Sequence, residues 1–173
     1  MNNLFLTGEI KVGKSTVLKK VLKKINIPVG GYMTEKTICN DITTHTVKSL
    51  YDNIEKYIIA KINNKNFSRK IFMESFSTGI PSILDKSLEN RDIIVLDELG
   101  FMENDINIFT SKIYRLLDSD KIVLGVLKKY DCEFLNNIKA RDDVIIIEIT
   151  EENRDLILNK ILNIIKSFNI PLK

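Results

Sequence analysis

The segment that most restricts this chain is Gly8-Glu9-Ile10-Lys11-Val12-Gly13-Lys14-Ser15, set between a short apolar strand, Leu4-Phe5-Leu6, and a helix that opens at Lys14. It fits G-x-x-x-x-G-K-[ST] at every fixed position, a pattern that works only when a strand runs into it and a helix leaves it. Gly8 and Gly13 let the backbone come close to a ligand that a Cβ would hold off. Successive N–H groups then point inward, and the positive end of the helix dipole adds to them, so the loop cradles anionic oxygens. Gly8, Glu9, Ile10, Lys11, Val12, Gly13, Lys14, Ser15 and Thr16 are therefore expected to bind the phosphates of a nucleotide. Lys14 would reach the β and γ phosphates as a point charge, and the Ser15 hydroxyl would ligate Mg²⁺.

The rest of the chain must supply a fold for that loop. Val17, Leu18, Val21, Leu22 and Ile25 recur at helical spacing, and Pro28 stops the helix. Val29 to Lys36 reads as a strand, and residues 44–74 read as short strands and turns, clearest at Tyr57 to Ile62 and Lys70 to Glu74. Ser75 to Leu88 is a helix broken or entered near Gly79-Ile80-Pro81. Asp92-Ile93-Ile94-Val95-Leu96-Asp97 is a nearly continuous apolar run ending in acid, the mark of a strand buried on both faces. A helix over Ile106 to Leu117, a strand over Lys121 to Leu127, a short helix over Cys132 to Ile138 and a strand over Val144 to Ile149 follow. The last helix starts after the cap Thr150, with Ile157, Ile161, Ile164, Ile165 and Phe168 on one stripe. Strands alternating with helices predict an α/β fold with a parallel sheet and right-handed crossovers.

A magnesium nucleotide site needs a second anchor, and the buried strand delivers Asp97 to the carboxyl edge of the sheet, where open α/β sheets bind ligands. Asp97 is expected to hold the Mg²⁺ shell, and the adjacent Glu98 is free to polarise an attacking water. That pair favours hydrolysis. The alternative is a nucleotide or small-molecule kinase using the same phosphate loop, which needs arginines to cover the phosphates. The five here, Arg69, Arg91, Arg115, Arg141 and Arg154, form no evident lid. A third reading is a nucleotide-dependent switch that binds RNA or a protein. The lysines of the first helix lack interleaved aromatic residues for base stacking, and the pI of 8.7 falls below the ~9 of strongly basic domains, so nucleic acid is not an expected partner. Glu103 would orient water or complement a helix start. Arg141, ahead of Arg154, is the choice for a cis arginine finger on the γ-phosphoryl group. His45 reads as polar filling on a strand, and Glu35 either faces the phosphates or is a surface acid.

Composition adds boundaries. The 173 residues, 44% hydrophobic with mean hydropathy −0.03, suit one soluble phosphate-loop domain over 1–173. No apolar run approaches the ~20 residues of a bilayer span, and no secretory signal is visible at the N-terminus. Cys39 and Cys132 form no CxxC pair, and one histidine leaves too few ligands for zinc. Reduced thiols and a cytoplasmic location are expected.

Past these motifs the chain resembles the small nucleoside-triphosphatases named after thermophile members, whose vertebrate version is called cancer-related nucleoside-triphosphatase. The family opens on a phosphate loop and continues with G-[FY]-[YF]-T-E-E, where this chain has Gly31-Tyr32-Met33-Thr34-Glu35-Lys36. Its acidic strand end reads D-E-I-G-K-M-E, and here stands Asp97-Glu98-Leu99-Gly100-Phe101-Met102-Glu103. A basic residue before a hydrophobic strand and T-x-E-N-R after it match Arg141 and Thr150-Glu151-Glu152-Asn153-Arg154. The resemblance implies a monomeric or weakly associated enzyme of RecA-like three-layer topology, its mostly parallel sheet carrying a small antiparallel hairpin insertion. It also implies slow Mg²⁺-dependent hydrolysis of ATP, GTP and other nucleoside triphosphates, and carries Gly8, Gly13, Lys14, Ser15, Asp97, Glu98 and Glu103 into functional positions. Two departures stand out: Phe101 replaces the lysine of G-K-M-E, and Thr37-Ile38-Cys39-Asn40-Asp41-Ile42 replaces a Gly- and Arg-rich turn.

Overall fold

The computed structural model describes residues 2–100 and 105–173, so Phe101 and the expected water-orienting Glu103 lie outside the described residues. The strands are β1 (Asn3–Thr7), β2 (Val29–Cys39), β3 (Ile42–Ser49), β4 (Lys56–Asn63), β5 (Arg69–Ile71), β6 (Ile93–Leu99), β7 (Ile122–Leu127) and β8 (Val144–Glu148). The α-helices are α1 (Lys14–Leu22), α2 (Ile80–Asn90), α3 (Asn107–Leu117), α4 (Glu133–Lys139) and α5 (Ile157–Ser167). The described strands form one sheet in the order β5-β4-β3-β2-β6-β7-β1-β8. Its β2-β6-β7-β1-β8 half is parallel, and β2 to β5 pair antiparallel.

The apolar run of β6 explains the layering. Ile93, Ile94, Val95 and Leu96 are all at 0% exposure, which requires cover on both faces. On one face Phe5, Ile94 and Leu96 pack with Phe76, Phe109 and Phe134 beneath α2, α3 and α4; Phe76 and Phe109 meet edge to face at 5.8 Å. On the other, Leu4, Leu6 and Val95 pack against Val17, Leu18 and Val21 of α1 and Ile161 and Ile165 of α5. Neighbouring residues of β1 thus serve opposite layers, as period-two side chains must. Each fully buried Leu, Ile or Phe is worth about 1.5–3 kcal/mol relative to exposure, so both helical layers are held strongly. The result is the expected three-layer α/β phosphate-loop fold.

Three local expectations change. The antiparallel hairpin, β2 with β3, carries two further strands, β4 and β5, and extends the sheet. The interruption before α2 is a π-helical turn, Ser75–Gly79, and a Cβ on Gly79 would collide with the Tyr57 ring. The last helix starts at Ile157 rather than directly after Thr150. Thr150 N donates to Asn153 Oδ1 (3.0 Å) and Asn153 N donates to Thr150 Oγ1 (3.3 Å), so the cap closes a separate turn ahead of α5.

Candidate active site

β1 ends at the carboxyl edge of the sheet, and the chain turns at Gly8 and Gly13, whose φ values of +139° and +108° favour glycine. A Cβ on Gly8 would also run into the Ile149 carbonyl oxygen. Lys14, only 8% exposed, donates from Nζ to the carbonyls of Gly8 (2.8 Å) and Glu9 (2.6 Å). Burial lowers its pKa, and the negative charges of Glu98 and Glu9 oppose that shift. Outside the loop, Lys129 bridges Glu9 (2.8 Å) and Glu148 (3.2 Å), an exposed pair of contacts worth about 0.2–1 kcal/mol each.

The acidic strand end meets this loop directly. Ser15 Oγ donates to Asp97 Oδ1 at 2.8 Å, joining α1 to β6. Thr34 fastens the same residue twice, its N–H to Asp97 Oδ2 (3.1 Å) and its Oγ1–H to the Asp97 carbonyl (2.9 Å). Asp97 is 1% exposed; burial pushes its carboxyl upward, while the bonds from Thr34 and Ser15 pull it down. A buried carboxylate beside a hydroxyl is a hard-oxygen pair that suits Mg²⁺. Among the described residues no group of three or more His, Cys, Asp or Glu gathers to hold a metal. Magnesium shared with substrate phosphates and water needs only one or two carboxylates, so Ser15 and Asp97 fit it.

Glu98 has φ +74°, a region that costs a non-glycine residue about 1–3 kcal/mol and persists where the surroundings enforce it. It sits where the β6–β7 register shifts between Leu96 and Leu99. With Lys14, Ser15, Thr34 and Asp97 it lines one open cleft of about 370 Å³, which Lys36 and His45 also line. The glycine-bearing loop, a buried lysine, a hydroxyl–carboxylate pair and a second acid thus share one space.

The sequence profile of a family described as NTPase matches residues 3–162. The chain belongs to the NTPase family. It is 32% identical over 168 residues to the nucleoside-triphosphatase THEP1 of Thermotoga sp. (strain RQ2), covering 94% of this chain and 95% of that protein. It is 28% identical over 166 residues to the nucleoside-triphosphatase THEP1 of Methanocaldococcus jannaschii, covering 92% and 95%. The crystal structure of THEP1 from Aquifex aeolicus superposes with a TM-score of 0.73 at 24% identity, covering 94% of this chain and 98% of that one, which supports the fold.

Within this NTPase the expected residues divide. Gly8 to Ser15, Asp97 and Glu98 come together. Arg141 does not join them. It precedes β8, whose Val144 pairs with Asn3 at the start of β1, and so stands at the opposite edge of the sheet. Five residues of strand, at about 3.3 Å each, separate it from the loop by roughly 16 Å. There its guanidinium is bound to Asp143 (2.8 Å) and Asp118 (2.7 Å), which hold its pKa above the ordinary arginine value. The arginine that does approach is Arg154, beyond the other end of β8. Its Cδ lies 3.9 Å from where a Cβ on Gly13 would stand. Thr34, Lys36 and His45 are the cleft residues to which sequence reasoning gave no role. His45, expected as polar filling on a strand, lines the cleft; burial lowers its pKa, and the charge of Glu98 opposes that shift. Lys36 and His45 come together only through the β2–β3 register, which no pattern in the sequence specifies.

Proposed function

We propose that the chain is a single-domain Mg²⁺-dependent phosphohydrolase over residues 1–173, converting ATP, GTP and other nucleoside triphosphates to diphosphate and inorganic phosphate. Membership of the NTPase family makes hydrolysis of nucleoside triphosphates its general reaction. One observation carries the residue assignment: the 2.8 Å bond between Ser15 Oγ and Asp97 Oδ1, with Glu98 facing the same cleft. The loop N–H groups and Lys14 hold the β and γ phosphates, and Ser15 and Asp97 hold Mg²⁺. When bound, the ion neutralises charge on the phosphates. Glu98 accepts a hydrogen bond from the attacking water and takes its proton as oxygen closes on the γ-phosphorus, while the bond to the β,γ-bridging oxygen breaks. Arg154, at the loop, takes the charge-stabilising role first assigned to Arg141.

The same reading makes the enzyme a cytoplasmic monomer with nucleotide as its ligand and no nucleic-acid partner. Among the described residues no helix is long and apolar enough to cross a membrane. The test is a phosphate-release assay across several nucleoside triphosphates, with and without chelator, and with Lys14→Ala as control. Diphosphate and phosphate should appear together, only with Mg²⁺, and only in the unaltered protein. Transfer to a nucleoside or nucleotide acceptor that outruns hydrolysis would instead make it a kinase.

A further inference from the structure

Part of the cleft lining belongs to neither of the two motifs. It is the β2–β3 hairpin, where Lys36 and His45 stand directly across from one another in the antiparallel register and both line the cleft. Two carboxylates, Asp97 and Glu98, face the same space. They would repel the terminal phosphoryl group of a triphosphate, so cations are needed on that side. Lys14 lies on the loop side, bonded to the Gly8 and Glu9 carbonyls. Lys36 is exposed, and among the described residues it makes no ion pair. His45 is half-buried, pairs with Lys36 across the strands and shares the cleft with Glu98; burial lowers its pKa, the charge of Glu98 raises it, and those of Lys128, Lys36 and Arg69 lower it. Glu98, as the group that meets the attacking water, marks the γ end of the substrate. Lys36 and His45 line the same cleft as Glu98 and so share that end of it.

We propose that Lys36 and His45 bind the γ-phosphoryl group, so that the hairpin sets the preference for nucleoside triphosphates over diphosphates. The inference rests on the hydrolase reading and adds a specificity determinant to it. Lys36 supplies the cation and His45 a ring N–H donor, while the phosphate loop binds what triphosphate and diphosphate share.

Titration of a non-hydrolysable β,γ-imido nucleoside triphosphate and of the matching diphosphate, both with Mg²⁺, separates the roles. Lys36→Gln should weaken the imido triphosphate about 10-fold, the scale of one charge-assisted hydrogen bond, and leave the diphosphate within about twofold. His45→Gln should act in the same sense by about threefold, as for a neutral donor. Lys36→Arg should restore the preference, and far-UV circular dichroism should show every variant folded. Equal losses for both nucleotides, or no loss for either, would overturn the assignment and leave hydrolysis standing. An unaltered protein that binds no triphosphate would overturn hydrolysis as well.

Discussion

Thr34→Val is a narrow perturbation of the geometry at the end of β6. Valine keeps the branched shape and the strand preference of threonine, and the Thr34 N–H bond to Asp97 Oδ2 survives. Only the 2.9 Å bond from Oγ1 to the Asp97 carbonyl is lost. That carbonyl opens the peptide leading into Glu98, whose φ of +74° costs about 1–3 kcal/mol. A side chain–backbone hydrogen bond is worth about 1 kcal/mol net, and the orphaned acceptor brings the loss to about 1.5–2 kcal/mol. This matches the strain being held, and about 1.4 kcal/mol is tenfold in rate. Steady-state phosphate release should show kcat down about 10-fold with KM within about twofold, the pattern of a contact felt in the transition state. Thermal melting should fall by about 3–8 °C. A lowered Tm with unchanged kcat would refute the reasoning, because the bond would then hold the fold and not Glu98. A raised KM at constant kcat would refute it too.

Four further outcomes follow from other contacts. Gly8→Ala forces a Cβ onto the Ile149 carbonyl at a φ of +139°, so it should cost about 3–4 kcal/mol and lower Tm by about 10 °C in a melting scan. Ser15→Ala removes one hard-oxygen donor, so half-maximal activity should need about 10-fold more Mg²⁺, read from a metal titration of phosphate release. Arg141→Ala should leave kcat unchanged and cost about 2 kcal/mol of stability, since its partners Asp143, Asp118 and the Leu117 carbonyl stand at the far edge. The Asp143 carboxyl is held low by Arg141, so its stabilisation is present above the ordinary Asp value of about 3.9 and is lost as pH falls through the folded value. The Tm gap between the unaltered protein and Asp143→Asn should therefore be wide at neutral pH and close in acid.

The parts of this molecule that could be read from the chain are those where one physical demand dominates. The loop at Gly8–Ser15 and the acid-tipped run of β6 each have a single setting that satisfies their backbone and burial, and both stand where expected. The β3–β5 region has no such demand. Ile42–Ser49 is rich in threonine and half-exposed, so neither period nor composition reveals that the segment pairs with β2 over its whole length. That register alone brings His45 to Lys36, and it is a tertiary fact. The arginine choice, Arg141, stands away from the cleft for a different reason. Arg141 and Arg154 flank the same parallel strand, and only the residue after its carboxyl end can reach the ligand edge. That rule was available in the sequence and points to Arg154. Thr150 does not cap α5: Asn153 answers it within one separate turn, and the helix starts only at Ile157.

The central claim is that Glu98 acts on water while the phosphate loop and Asp97 bind the nucleotide. Paired measurement of phosphate release and imido-triphosphate binding in Glu98→Gln tests it most directly. Release should fall about 10²-fold or more, the scale of a lost general base, with the dissociation constant within about twofold of the unaltered protein. Phosphate release that stays unchanged, or that falls only as far as binding does, would contradict it.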